Sequence, residues 1–105
     1  MNVTYPTTLV LDALARGFRH GFDIIDATGL ASGTVYPMLR RLERERLVAA
    51  HWEDAAIAHD EQRPPRRYYE LTVAGEAFLK TARARYLLSR TSASRARRFR
   101  PAPSS

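Results

Sequence analysis

The chain has 105 residues, of which 45% are hydrophobic, and this length supports one compact domain with a single core. It contains no cysteine, which excludes disulfides, thiolate metal sites and cysteine nucleophiles. No apolar run reaches the roughly 18 to 20 residues that span a bilayer, and the first residues lack the basic region and cleavage site of a signal peptide. We therefore expect a cytoplasmic protein without a membrane partner.

The formal net charge of +6 is unevenly distributed along the chain. Up to Glu76, nine arginines stand against eleven acidic residues, a balance of −2, whereas eight basic residues and no acidic residue follow. Most of the basicity therefore belongs to the last third. A site for a polyanion in the first two thirds must be a local cluster of arginines.

Two helices are predicted at the start of the chain. Thr7 or Thr8 is placed to cap the first helix, which ends at Gly17. Residues 20–28 form a second helix, which Gly29 ends. The second helix is too short to be stable alone, so it needs a packing partner.

A third, amphipathic helix is predicted over residues 32–45. Its apolar residues fall on one face at a spacing of about 3.6 residues: Val35, Met38, Leu39 and Leu42. The opposite face carries Thr34, Pro37, Arg40, Arg41 and Arg44. Because Pro37 lacks an N–H and is tolerated in the first turn of a helix, we expect the regular helix to begin near Thr34.

In residues 47–53 and 66–71, apolar and polar side chains partly alternate and aromatic residues are frequent. This pattern predicts the two strands of a β-hairpin. Between them, residues 54–65 form a long polar connection with an expected mobile tip. Thr72 then caps a fourth helix that extends to about Arg90. Residues 91–105 are rich in Ser, Arg and Pro, and we expect them to be a disordered basic tail.

This order of elements predicts a mainly α-helical protein with a small β-hairpin, the winged helix-turn-helix fold. In the segment IIDATGLASGTVYPML, Gly29 occupies the turn and Val35 follows six residues later, a spacing that lets the two helices pack together. The predicted organisation is a DNA-binding domain over residues 1–72, a dimerisation helix over 73–90 and the tail over 91–105.

Two sequence blocks resemble the PadR family of transcription regulators. They are GTVYPMLRRLERERLV and PPRRYYELTVAG, and the resemblance covers about residues 9–88. The short segment after Tyr86 matches the short C-terminal type. The resemblance implies a homodimer, joined largely through its C-terminal helix, that binds double-stranded DNA, usually represses a nearby promoter and is often released by a small-molecule effector. An inverted-repeat operator is expected for such a dimer.

The residues that match the family's DNA-contacting region lie on or before the third helix and in the hairpin: Ser32, Thr34, Tyr36, Arg40, Arg41, Arg63, Arg66 and Arg67. Arginine can bind a guanine edge through two hydrogen bonds, and hydroxyl groups at a helix start can bind phosphate. Two alternatives stay open. Arg40 and Arg44 can instead pair with Glu43, and Tyr36 can pack on the wing rather than contact DNA.

An apolar stripe on the fourth helix predicts a dimer interface, because a domain of four elements is expected to leave this stripe uncovered. We expect the first helix to supply the other side of this dimer interface. The predicted interface residues are Leu9, Leu11, Phe78, Leu79, Ala82 and Tyr86. For Trp52 the sequence leaves two roles open, cross-strand packing and stacking on a flat effector.

No constellation for catalysis or cofactor binding is found, so we expect neither an enzyme nor a cofactor. His20, His51 and His59 fall in three different elements, which gives no metal-binding pattern.

An alternative function is a winged-helix module that docks a protein and binds DNA weakly or without specificity. The acidic residues of the predicted hairpin support it, because they weaken phosphate attraction. They are Glu53, Asp54, Asp60 and Glu61.

Overall fold

The computed structural model describes residues 2–87, which form five α-helices, one two-stranded sheet and a π-helical turn. The helices are α1 (Tyr5–Ala15), α2 (Gly21–Thr28), α3 (Ser32–Arg44), α4 (Ala55–Asp60) and α5 (Val73–Ala82). The strands are β1 (Val48–Trp52) and β2 (Arg67–Leu71), and the π-helical turn covers Arg83–Leu87. The predicted tail and the predicted end of the last helix near Arg90 lie outside the described residues.

Helix α1 begins about three residues earlier than predicted. Its cap is Thr4, whose Oγ1 accepts a hydrogen bond from the Thr7 amide at 3.2 Å, and Pro6 lies in the first turn, where a missing N–H costs little. Thr7 and Thr8 are instead buried inside the helix. The Thr8 hydroxyl donates to the Thr4 carbonyl at 2.8 Å, which satisfies it in the apolar interior.

Helices α2 and α3 form the predicted helix-turn-helix. Helix α2 ends at Gly29, which has φ 75° and whose amide donates to the Ile25 carbonyl at 2.8 Å. Helix α3 starts at Ser32, two residues before the expected regular start, so Pro37 lies in its second turn. Because Pro37 has no N–H, the Gly33 carbonyl loses its usual helical donor. Gly33 is exposed, so water can reach the carbonyl that lacks this hydrogen bond.

The hairpin is antiparallel and pairs Val48 with Leu71 at its base and Trp52 with Arg67 at its far end. Tyr69 faces inward and is 6% exposed, and burial raises the pKa of its phenol. The Tyr69 amide donates to the Arg19 carbonyl at 2.8 Å, which ties β2 to the connection between α1 and α2.

The connection between the strands is not the loop that composition predicted. It contains α4, capped by the Asp54 carboxylate, which accepts from the Ala56 amide at 2.8 Å. Ala58 on this helix is 1% exposed. We use the term wing for β1, β2 and the connection that carries α4.

One core joins the helices and the sheet. Its buried apolar residues are Val10, Leu11, Ala13, Leu14, Ile24, Val35, Leu39, Leu42, Val48, Tyr69 and Leu79.

Three of the six predicted interface residues are enclosed within a single chain, so the expectation that the apolar stripe of α5 is left uncovered is wrong for Leu79 and Ala82. Leu11, Leu79 and Ala82 are 0%, 3% and 0% exposed within a single chain. Helices α1 and α5 pack against each other, so these three residues belong to the core of the single chain. Leu9, Phe78 and Tyr86 are half-buried and keep some surface accessible.

Gly75 is required where the first turn of α5 meets the connection between α3 and β1. A Cβ at this position would overlap the Leu47 carbonyl oxygen. We expect Gly75→Ala to lower the free energy of unfolding by about 1–3 kcal/mol, the usual cost of overpacking a tight contact. Urea and thermal denaturation measure this loss.

Gly33→Ala is the matched control, because Gly33 also lies in a first helical turn and a Cβ there would meet nothing within 4 Å. We expect unchanged stability or a gain of up to about 1 kcal/mol from the better helix former. Equal stability of the two variants would contradict the tight contact at Gly75.

Candidate nucleic-acid interface

Helix α3 separates an aliphatic face from a cationic one. Val35, Leu39 and Leu42 are each 0% exposed. On the outer side, Arg40, Arg41 and Arg44 are exposed. Within residues 2–87 none of these three guanidinium groups is paired with a carboxylate, so the alternative that Arg40 and Arg44 pair with Glu43 is not observed.

The start of α3 carries exposed hydroxyl groups beside the backbone amides of Ser32 and Gly33, whereas the Thr34 and Val35 amides already donate to the Ala31 carbonyl at 2.9 and 3.0 Å. Ser32 and Thr34 are exposed, and the capping residue Ala31 provides no side-chain acceptor for the first amides of the helix. The first amides of a helix have no partner within it and carry partial positive charge. This end of α3 is therefore chemically suited to bind an anion such as phosphate.

One side of α3 faces the N-terminal segment of the chain. Thr34, Met38 and Arg41 line a groove of about 530 Å³ together with residues from Asn2 to Thr7. The sequence indicated no role for Asn2 or Thr4 in this region. Only the packing of the start of α1 beside α3 brings them next to Arg41.

Tyr36 lies on the other side of α3, toward the wing. Its ring contacts the backbone of Gly21, where a side chain would collide with it, and it remains 37% exposed. With Arg66 and Tyr69 it lines a small pocket of about 160 Å³. The ring thus packs on α2 and faces the wing across this pocket, and its predicted DNA contact stays a prediction.

Arg63 is engaged inside the wing and does not present a free charge. Its guanidinium donates to both carboxylate oxygens of Glu53, at 2.6 and 2.8 Å, and to Glu61 at 3.1 Å. The Glu53 side chain is only 5% exposed and also accepts from the Arg66 amide and the Tyr68 hydroxyl. Hydrogen bonding from Arg63 is the largest cause that lowers the pKa of Glu53 to about 2.

These contacts also account for the acidic residues that supported the docking alternative. Glu53 and Glu61 bind Arg63, and Asp54 caps α4. Of the four acidic residues, Asp60 has no such role among the described contacts. The acidic stretch therefore serves mainly to fold the wing.

The two adjacent arginines of the wing differ in their surroundings. Arg67 donates to Glu43 of α3 at 3.1 Å, and its guanidinium carbon lies 5.0 Å from the centre of the Trp52 ring. Arg66 is exposed, and its guanidinium has no carboxylate partner within the described residues. Of the three predicted wing contacts, Arg66 therefore presents the available charge.

Residues 2–87 contain neither a metal-binding cluster nor a membrane-spanning helix. No group of three or more His, Asp or Glu side chains is arranged to hold a metal ion there. His20 is paired with Asp23 at 3.0 Å, and His51 lies 3.8 Å from Glu70. None of the described helices combines the length and the apolar character needed to cross a membrane.

A helix-turn-helix whose second helix exposes a cationic face beside a β-hairpin defines the class of winged helix-turn-helix proteins. The model of the transcriptional regulator PadR-like family matches residues 10–81. The chain belongs to this family, which regulates transcription through DNA binding. The resemblance of the two sequence blocks is thereby confirmed.

Solved structures of similar fold support this assignment. A PadR-like transcription factor from Bacteroides fragilis is 27% identical, with 86% of this chain and 87% of that chain covered and a TM-score of 0.65. A PadR family regulator from Clostridium difficile R20291 is 23% identical, with 88% and 97% covered and a TM-score of 0.67. No curated protein sequence matches the chain.

BpsR of Bordetella bronchiseptica has the same fold and is a longer protein. It is 24% identical, with 86% of this chain but 63% of that chain covered and a TM-score of 0.64.

The lowered pKa of Glu53 predicts an acid-sensitive wing. Its pKa is about 2 in the folded protein against an ordinary value of 4.5, so the unfolded chain takes up this proton first as the pH falls. The contribution of the ionised Glu53 carboxylate to the stability of the folded protein is complete above pH 4.5 and is lost progressively toward pH 2. We expect the melting temperature of the wild type to fall more steeply over this range than that of Glu53→Gln.

Glu76→Gln, which changes an exposed glutamate of α5, is the control and should keep the wild-type pH dependence. Melting curves recorded by circular dichroism at several pH values provide the measurement. Parallel curves for the wild type and Glu53→Gln would show that the Glu53–Arg63 pair contributes nothing to stability.

Proposed function

We propose that this protein is a homodimeric, sequence-specific regulator that binds an inverted-repeat operator in double-stranded DNA and represses transcription by occupying it. The observation that carries the proposal is the row of arginines on α3 that pair with no carboxylate among residues 2–87 and are held outward by the buried aliphatic face of the same helix. Since its partner is DNA, the proposed place of action is the cytoplasm.

In the proposed complex α3 enters the major groove, whose width of about 12 Å accepts one helix. Arg40 and Arg41 contact base edges, because an arginine can bind guanine through two hydrogen bonds. Ser32, Thr34 and the first amides of α3 bind backbone phosphate. Arg66 of the wing contacts phosphate or the minor groove, and the exposed part of Tyr36 lies beside it.

The proposed dimer uses surface that a single chain leaves accessible. Leu9, Phe78 and Tyr86 are half-buried, whereas the other predicted interface residues are enclosed in the core. A twofold arrangement through this region presents two α3 helices to successive major grooves, about 34 Å apart, which corresponds to half-sites separated by roughly 10 base pairs.

We include a small-molecule effector in the proposal. DNA binding by BpsR is regulated by 6-hydroxynicotinic acid, and BpsR shares the fold of this chain. The effector site and the chemistry of the effector are left open. Trp52, for which effector stacking was an alternative, contacts Arg67 instead.

Arg41→Ala tests the role of α3. We expect affinity for an operator selected from random DNA to fall by about 5- to 150-fold, with relaxed preference at one base pair, because each arginine–guanine contact is worth about 1–3 kcal/mol. Fluorescence anisotropy with the selected duplex measures the change.

Lys80→Ala removes the same charge from an exposed position of α5 and should bind nearly as the wild type does. If Arg41→Ala kept the wild-type affinity and base preference, Arg41 would not be a base-contacting residue.

Phe78→Glu tests the dimer interface. We expect a folded monomer in light scattering, because a carboxylate would have to be desolvated in an apolar interface. Leu79→Glu should unfold the chain instead, since Leu79 is 3% exposed in the core of the protomer.

Ala56→Glu places the same charge on an exposed residue of α4 and should remain dimeric. A dimeric Phe78→Glu protein with native circular dichroism would place the interface elsewhere.

A further inference from the structure

A chain of three side chains connects α3 to the far end of the hairpin. Glu43, in the last turns of α3, accepts a hydrogen bond from Arg67 at 3.1 Å. Arg67 is in turn stacked over the ring of Trp52 at 5.0 Å, and these two residues are cross-strand partners in β1 and β2. We refer to Glu43, Arg67 and Trp52 as the wing bridge.

The wing bridge is poorly explained by a contribution to overall stability. The Arg67 and Glu43 side chains are 31% and 38% exposed, and ion pairs at such exposure contribute little to stability because water screens them. Trp52 is 63% exposed, so stacking on it buries little apolar surface. The pair therefore orients the two elements it joins more than it stabilises the core.

The position of this pair suggests what it orients. Within the described residues, the bond from Arg67 to Glu43 is the side-chain hydrogen bond that links α3 to a strand of the hairpin. Strand β1 follows α3 closely in the chain, whereas β2 faces α3 through the apolar packing of Tyr69 and, toward the far end of the hairpin, through the bond from Arg67. The distance from the arginines of α3 to Arg66, the neighbour of Arg67 on β2, thus depends on the bridge.

We propose that Glu43 and Arg67 are positioning residues that hold Arg66 at the right distance from α3, and that Arg67 itself does not bind DNA phosphate. This inference rests on the proposed DNA-binding function. It assigns to an acidic residue on the DNA-facing helix a favourable role in specific binding. It also revises the prediction that Arg67 is a DNA contact.

Glu43→Gln separates this role from simple electrostatics by the sign of its effect. Removing a negative charge near DNA raises affinity for any duplex if the charge merely repels phosphate. Loss of the bridge instead lowers affinity for the selected operator. Without it, the contacts of the α3 arginines and the contact of Arg66 can form together only if binding also orders the wing, which costs free energy. The same loss is expected for Arg67→Ala, although that change removes a positive charge.

The experiment compares Glu43→Gln, Arg67→Ala and the double variant on the selected operator and on a scrambled duplex over a series of salt concentrations. We expect each single variant to lose roughly 10-fold affinity for the operator and the double variant to lose no more, since all three remove one bridge. The salt dependence should keep the wild-type slope in all three. Circular dichroism checks that each variant is folded.

Arg66→Ala is the matched comparison, one residue away on the wing. It should weaken binding to both duplexes and reduce the log–log salt slope by about 0.9, as expected for one lost phosphate contact. An equal reduction in Arg67→Ala would show that Arg67 binds phosphate and would overturn the proposal. Tighter or unchanged operator binding by Glu43→Gln would overturn it as well.

Trp52 provides a readout that needs no DNA, because it is the one tryptophan of the chain. Loss of the stacked guanidinium should increase acrylamide quenching of Trp52 fluorescence in Glu43→Gln and Arg67→Ala. Arg40→Ala, which changes an exposed arginine of the same helix, should leave quenching unchanged.

DNA binding and Trp52 quenching together distinguish failure of the proposed regulator function from failure of the wing-bridge proposal. If no duplex is preferred by the wild type, the proposed regulator function fails, and the role of the bridge in DNA binding fails with it. Unchanged quenching in Glu43→Gln together with normal operator binding overturns the bridge alone.

Discussion

The orientation of α3 depends on the burial of Val35, Leu39 and Leu42, and the rest of the DNA-facing surface follows from it. Fully burying an aliphatic side chain contributes about 1.5–3 kcal/mol, and all three of these are fully buried. A rotation of α3 by one residue, about 100°, would expose them and bring guanidinium groups into the core. Apolar packing therefore determines where the arginines point, although the arginines carry the proposed function.

The arginines of the wing show that a charge in the sequence is not yet a charge at the surface. Arg63 satisfies the nearly buried carboxylate of Glu53, which would otherwise be costly to enclose. Arg67 joins Glu43 and Trp52, whereas Arg66 remains available. In the proposed complex, residues of one type at neighbouring positions thus divide between folding the wing, orienting it and facing DNA.

Helix α5 has a comparable double role in the structure. Its inner residues, Leu79 and Ala82, complete the protomer core against α1, and Phe78 beside them is left half-buried. A small domain gains enough buried area for stability in this way, since a chain of this size has little apolar surface to spare. The proposed dimer interface must then be built from the margin of the α1–α5 contact and not from its centre.

The sequence by itself determined the order of the elements other than α4, the helix-turn-helix with Gly29, the outward arginines of α3 and the family, because periodicity and local turn chemistry are properties of neighbouring residues. Only the tertiary structure decided which side chains from distant parts of the chain contact each other. Composition suggested a loop where α4 forms, and periodicity could not show that α1 covers Leu79, nor that Arg67 reaches Glu43, 24 positions away. These contacts join residues far apart in the chain, so their existence depends on the packed fold and leaves no local pattern to read.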